Sequence, residues 1–260
     1  MSPASKIRIA LSWTAMAAFF VVVFRSVDPG SPFALSLIAA LLVATMIIGF
    51  ARGRRAMARI QEMAALGEPD KMLAIVRRKL RYAKPGSPNR AAFAVFLATG
   101  LSMKGEWDRA LEALDEVDPD SMPEDEKALW QFGYYNAKFS CLVFKERLDE
   151  ARAVLDTQLE PLASGHIPRA ENAIDACRAV MWFCDGEHEK AMGVFARLVK
   201  ETPIPPPSRA VFHYFLARIY HDRGHWKGAN EHFEEAERLG ARTWVGAGIK
   251  AFREARKLTP

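Results

Sequence analysis

Two runs near the start of the chain carry no charged residue at all, at positions 9–24 and 31–51. Each approaches the length that crosses a hydrocarbon core as a helix, about 20 apolar residues. Between them, Pro29-Gly30 breaks the helix and Pro32 suits the first turn of the next. The pattern predicts a tight hairpin of two membrane spans over residues 1–51. No small-x-small cleavage site follows the first run, so it reads as a span and not as a removable leader.

Beyond residue 51 the pattern changes to helical periodicity, and alternation of the strand type is nearly absent. A seven-residue motif recurs after each apolar helix. It reads Gly-Glu-Trp-Asp-Arg-Ala-Leu from Gly105, Glu-Arg-Leu-Asp-Glu-Ala-Arg from Glu146, Gly-Glu-His-Glu-Lys-Ala-Met from Gly186 and Gly-His-Trp-Lys-Gly-Ala-Asn from Gly224. A weaker copy, Gly-Glu-Pro-Asp-Lys-Met-Leu, starts at Gly67. The sixth residues, Met72, Ala110, Ala151, Ala191 and Ala229, are spaced by 38, 41, 40 and 38. A near-constant interval of this size marks stacked helix pairs. The glycine is expected to close one helix in a left-handed cap. The alanine lets the next helix approach closely. Val76, Leu114, Leu155, Phe195 and Phe233 lie four residues further on, on the same helix face, and are expected in the core. Aromatic residues of the repeats, Trp107, Trp182, Tyr220 and Trp226, are expected there too. Residues 243–257 read as a closing helix with cations suited to its C-terminal end.

These residues resemble the tetratricopeptide repeat (TPR) family. The match is best over 208–241, where Ala217, Tyr220, Gly224, Trp226, Ala229, Phe233 and Ala236 fall at the signature spacing. It is good over 170–203, with Ala179, Trp182, Gly186, Ala191, Phe195, Leu198 and Pro203. It weakens at 130–163, where Glu146 stands in place of the turn glycine. The interval exceeds the family's repeat of about 34, so helices or linkers are lengthened, with 118–123 and 202–207 as the extra linker. The expected fold is all-α: two transmembrane helices, then a TPR-like solenoid of four to five helix pairs and a capping helix. The domains are expected at 1–51 for the hairpin, 52–88 for a basic, degenerate first repeat, and 89–260 for the repeat domain.

Charge sharpens the picture. Residues 51–90 hold 11 Lys and Arg against three Asp and Glu, whereas 91–260 hold 22 against 27. The basic end adjoins the apolar runs, which fits an anionic membrane surface better than a nucleic acid. Lys6 and Arg8 precede the first run, and Arg52, Arg54, Arg55 and Arg59 follow the second. The positive-inside rule then puts both termini and the repeats in the cytoplasm. The hairpin-plus-repeat layout suggests a bacterial inner membrane. Arg52, Arg54, Arg55 and Arg59 are the expected membrane-surface residues.

Chemistry is sparse. The phosphate-loop, dinucleotide, zinc-protease and serine-hydrolase motifs are all missing from the sequence, and no cofactor is implied. Cys141, Cys177 and Cys184 are an odd number without a CxxC and read as core thiols. Of the histidines, His221 and His225 are four apart, with Gly224 between them. Residues 106–126 carry ten acids and one Arg without the spacing of a calcium loop, and read as a solvated face. No enzyme is expected. The resemblance implies a concave groove lined by the first helix of each pair. Carried over, its positions are Val95 and Thr99, Asn136 and Ser140, Ala176 and Val180, and Tyr214 and Arg218. Thr99, Asn136, Ser140, Tyr214 and Arg218 are the polar members through which a protein or peptide partner would be held. The expected function is a membrane-tethered scaffold. The rival expectation is a structural component acting by self-association as a homo-oligomer.

Overall fold

In a computed structural model, the structure describes residues 32–122, 126–164, 167, 170–200 and 204–257. The first expected span lies outside them. The chain divides into two units, Met1–Met57 and Ala58–Pro260. Residues of the second uncharged run fall on one helix, α1, Pro32–Ala65. Val43, Met46 and Ile47 are exposed on it, while the side chains of 32–42, 48–50 and 52 lie outside the description. Among the described residues, no helix is long and apolar enough to cross a membrane.

The second unit is built of antiparallel helix pairs. After the end of α1 come α2 (Pro69–Leu80), α3 (Pro88–Met103), α4 (Trp107–Asp115) and α5 (Lys127–Phe144). Then follow α6 (Leu148–Val154), a π turn (Leu155–Leu159) and α7 (Glu160–Ala163) as successive stretches of the third second helix. The array ends with α8 (Ala170–Cys184), α9 (His188–Leu198), α10 (Pro206–Asp222), α11 (Trp226–Gly240) and α12 (Trp244–Lys257). The described residues therefore form an all-α array of five helix pairs closed by a single helix. α2, α3 and α10 start on a proline, which has no amide N–H to leave unpaired. Ser87 caps α3, accepting from the Arg90 N–H at 3.3 Å, with Pro88 following at the first helical position.

The five motif copies make the same backbone turn. Gly67, Gly105, Gly186 and Gly224 have φ between +68° and +79°. In each of these four copies the next residue's N–H reaches back five positions. Glu68 donates to the Met63 carbonyl, Glu106 to Leu101, Glu187 to Trp182 and His225 to Tyr220, at 2.8–3.0 Å. The glycine's own N–H donates to the carbonyl three residues back, completing a Schellman cap. The same residue that closes one helix opens the next. The carbonyls of Glu68, Glu106, Arg147, Glu187 and His225 accept from Met72, Ala110, Ala151, Ala191 and Ala229 at 3.0–3.2 Å. These sixth residues are all buried, as are Val76, Leu114, Leu155, Phe195 and Phe233 one turn on. Each such large apolar side chain contributes about 1.5–3 kcal/mol when fully buried.

The long interval has local causes. Linker 116–126 includes a 3-10 turn, Pro119–Ser121, in which Asp118 accepts from the Asp120 N–H at 2.9 Å. In the third pair the π turn absorbs an extra residue. Its last bond runs from the Glu160 N–H to the Leu155 carbonyl, just before Pro161, which has no N–H to give to an α-helical ladder.

Exposed ion pairs join successive pairs in a ladder. The residue just before each turn reaches the first turns of the preceding second helix: Lys104 to Asp70 (2.8 Å), Lys145 to Asp108 (2.9 Å) and Arg223 to Glu189 (2.8 Å). At the junction of the third and fourth pairs the polarity is inverted, with Asp185 accepting from Arg152 at 2.8 Å.

The two ends of the array meet. Arg242, before α12, pairs with Glu68 in the first turn at 2.5 Å. A Cβ added at Gly67 would lie 3.0 Å from Pro207 Cγ. Hydrogen bonding from Lys71 holds the Glu68 carboxyl below its usual range, with Arg242 adding to the effect against the opposing cost of desolvation. The second unit is thus closed on itself, where a simple solenoid would leave its ends apart.

One turn departs from the rule. Glu146 takes the glycine's place with φ +58°, and its own N–H and that of Arg147 still make the same two cap bonds. An L-residue in this region costs about 1–2 kcal/mol, partly offset in glycine by its greater chain entropy. Glu146 is exposed and no side-chain bond is lost with it. Glu146→Gly should therefore stabilise the protein by about 0.5–1 kcal/mol, seen as a rise of a few degrees in the calorimetric midpoint.

Candidate functional site

The first helices α3, α5, α8 and α10 carry the groove positions expected from sequence, but the structure does not bring them into one open groove. Thr99 lies in a cleft of about 390 Å³ where the ends of the array meet, beside Ala65, Phe96, Pro207 and Trp244. Its hydroxyl donates to the Val95 carbonyl at 2.9 Å, and Val95 itself is buried. Asn136 and Ser140 lie in a second cleft, of about 210 Å³, between α5, α8 and α10. Ser140 donates to the Asn136 carbonyl at 2.9 Å, and the Cys177 thiol donates weakly to Asn136 Oδ1 at 3.5 Å. Ala176 and Val180 line the same cleft with Phe139, Val143 and Phe215. The wall is apolar, as the sequence predicts for its middle.

Tyr214 and Arg218 stand apart from both, and here the expectation of an accessible groove is corrected. Tyr214 is only 8% exposed and meets Trp244 edge to face at 5.4 Å. Arg218 donates to the Tyr214 hydroxyl at 3.2 Å, and its guanidinium stacks 4.9 Å from the Phe252 ring and 5.6 Å from Phe183. Both covering residues, Trp244 and Phe252, belong to α12. This helix buries Val245 and Ile249, so it is an apolar plug over the last pair as well as a polar cap. Trp244 also reaches the turns of earlier pairs, at 4.3 Å from Phe144 and 5.7 Å from Trp107. The signal was present in the sequence as Trp244, Val245, Ile249 and Phe252 on one helical segment.

Other expectations are placed as follows. Trp107 stacks on Phe144 at 4.5 Å, and Trp182 and Tyr220 are half-buried. Trp226 is 60% exposed and not in the core, touching His221 edge-on at 4.6 Å. Cys141 and Cys177 are buried and Cys184 half-buried. Burial pushes the Cys141 and Cys177 thiols up to about 12, so neither is a nucleophile near neutral pH. His221 lies against Asp222, Trp226 and Phe252, and no metal-holding group of His, Cys, Asp or Glu occurs among the described residues. Arg54, Arg55 and Arg59 are exposed on α1, and the Arg52 side chain lies outside the description.

The sequence reading missed one contact. His213 of α10 and His232 of α11 share a hydrogen bond between their Nδ1 atoms at 2.8 Å, with Tyr220 stacked on His232. The bond needs a neutral ring to accept at Nδ1, so it is lost once both rings are protonated. Burial first, then the neighbouring His232, lowers His213 to about 4, and burial lowers His232.

No protein-family model and no curated protein matches the chain. Two solved structures do: the nearly identical TPR-like repeats of a kinesin light chain from Podosopora anserina, and a single-substitution variant of them. Both are 18% identical with a TM-score of 0.40, covering 74% of this chain and 96% and 95% of theirs. The helix-pair architecture is established by the chain's own repeated turns.

Two outcomes follow from this geometry. Trp244→Ala should cost about 2–3 kcal/mol in denaturant unfolding, less than a fully buried Trp because the ring is partly exposed. It should also quicken hydrogen exchange in α12. For the histidine pair, the unfolded chain binds protons near pH 6.5 while the folded pair resists them to about 4 for His213. Stability should thus be complete above pH 6.5 and fall as pH drops through that window. Discounted for half exposure, the loss is about 1–2 kcal/mol, read as a fall in thermal midpoint between pH 7 and pH 5. His213→Gln should flatten that slope.

Proposed function

We propose that this protein is a non-catalytic, membrane-tethered scaffold that holds an extended or helical peptide of a protein partner in the cleft between α5, α8 and α10. One observation carries the reading: an apolar wall with Asn136, Ser140 and Ser208 among its polar members, built from three successive first helices. A peptide groove needs such a mix, apolar pockets for affinity and a few polar groups for register. Buried, protonated Cys141 and Cys177 present no thiolate to such a ligand. The tether rests on the uncharged run 31–51, on exposed Val43, Met46 and Ile47, and on the cations that follow. Cytoplasmic placement of the repeats follows the positive-inside argument. A tether confines the scaffold to the membrane plane and raises its effective concentration there.

Site-specific photo-crosslinking of the full chain in native membranes tests this. A crosslinker at Asn136 should capture a distinct protein, while one at Tyr214, under Trp244, should capture none. Failure to capture from Asn136 in folded protein defeats the reading. A product of twice the chain's mass would instead favour self-association.

A further inference from the structure

The densest run of cations in the second unit lies at the end of α2 and in the turn after it. Arg77, Arg78 and Lys79 fill the last turn of α2, and Arg81 and Lys84 follow within five residues. None of α3, α4, α5, α6, α9, α10 and α11 carries more than one there. One cation is enough to complement a helix dipole, so this cluster exceeds that need. The remainder of the unit pairs its cations freely, as in the ladder and in Arg147 with Glu150, Arg178 with Glu160 and Arg253 with Glu237. Among the described residues, none of these five cations makes a side-chain hydrogen bond or ion pair. Tyr82, in their midst, is 80% exposed, and no aromatic ring packs on it among the described residues.

The position of the cluster is as telling as its charge. α2 returns alongside the end of α1, with Ile60 buried against Met72 and Val76. Arg59, the residue before Ile60 on α1, is exposed. Along the sequence, the uncharged run ends at position 51, eight residues before Arg59. Arg77 and Arg90 also border a cleft of about 540 Å³ whose other wall carries Glu112, Glu116 and Asp118. That cleft is charge-mixed, so the cations left without compensation are the exposed ones around the turn, Arg78, Arg81 and Lys84.

We infer that this turn, Arg77 to Lys84 with Tyr82 at its centre, is a second membrane contact that binds anionic lipid headgroups and rests the first helix pair on the bilayer. The inference rests on the tether proposed above. Cations within a Debye length of an anionic leaflet each add about fivefold to association, and an exposed tyrosine seats its ring at the headgroup level. The mixed composition favours lipid over nucleic acid: one aromatic among the cations gives no stacking row for bases.

The test uses the full chain in nanodiscs of phosphatidylcholine, with and without about one third phosphatidylglycerol. Hydrogen exchange of residues 77–87 should slow several-fold only in the anionic discs, and raising salt to about 0.5 M should abolish the protection. The triple variant Arg78→Glu, Arg81→Glu, Lys84→Glu should lose it, with exchange elsewhere in the repeats unchanged as proof of folding. Where the chain does not insert, sedimentation with anionic vesicles should show the same variant binding at least about a hundredfold more weakly, three fivefold losses before the repulsion of the new carboxylates is added. Equal exchange in both disc types, with the chain inserted, overturns the inference and leaves the tether standing. A chain that fails to enter discs at all defeats the tether. In that case vesicle sedimentation decides the turn, with sensitivity to the triple variant supporting it and insensitivity overturning it. Protection by a duplex oligonucleotide and not by anionic discs would overturn the lipid assignment.

Discussion

The two backbone groups of a single residue, used alike at five turns, govern the second unit. Residues 68, 106, 147, 187 and 225 each give their N–H to the end of one helix and their carbonyl to the start of the next. That double use leaves no slack between the helices, so the angle between them is set by the turn and not by the packing that follows. The preceding residue must then have positive φ, which explains four glycines and makes Glu146 an exception. The residue four places on must be buried where the helices meet, which explains four alanines. Leu73, Leu114 and Phe195 can then fill the space that the turn defines.

Closure is the second constraint, and it acts at long range. In an open array each pair meets only its neighbours, and the ends can fray. Here Glu68 and Arg242 pair across 174 residues, and Pro207 packs against the first turn. The fifth pair therefore supports the first. Trp244 extends this support inward, since its ring touches aromatic residues from the second, third and fifth pairs. What closure gains in cooperativity it takes from the accessible inner face. Tyr214 and Arg218 are spent on packing, and the open part of that face contracts to the walls around Asn136 and Thr99.

The sequence was informative where the physics is local. Turn glycines, small partners and core residues one turn on are fixed by hydrogen bonds within ten residues, and all were legible. The groove was not, because register tells which face a residue occupies but not what lies on that face. Tyr214 sits at a groove position by count, yet it is covered by a helix 30 residues later. Trp226 fails for a related reason. Trp107 is covered because Phe144 of the next pair and Trp244 lie over it. Trp226 belongs to the last pair, so no further pair follows to cover it. The histidine pair was illegible in turn because 19 residues separate its members and only the facing of α10 and α11 joins them.

The ion-pair ladder adds an ordering principle that its energy alone would not suggest. Each exposed pair contributes about 0–1 kcal/mol, too little to hold the array together. Its pattern, however, discriminates between stackings. At three junctions the acid lies on the second helix and the cation before the turn, and at the junction of the third and fourth pairs the signs are exchanged. Were the fourth pair to stack on the second, Asp185 would meet Asp108. Were the fifth to stack on the third, Arg223 would meet Arg152. Five pairs that share one turn and one core pattern are otherwise interchangeable, and a skipped pair would bury much the same apolar surface. Like-charge encounters raise the cost of those alternatives. The inverted rung near the middle of the chain thus helps a repetitive sequence to assemble in one order, which closure between Glu68 and Arg242 requires.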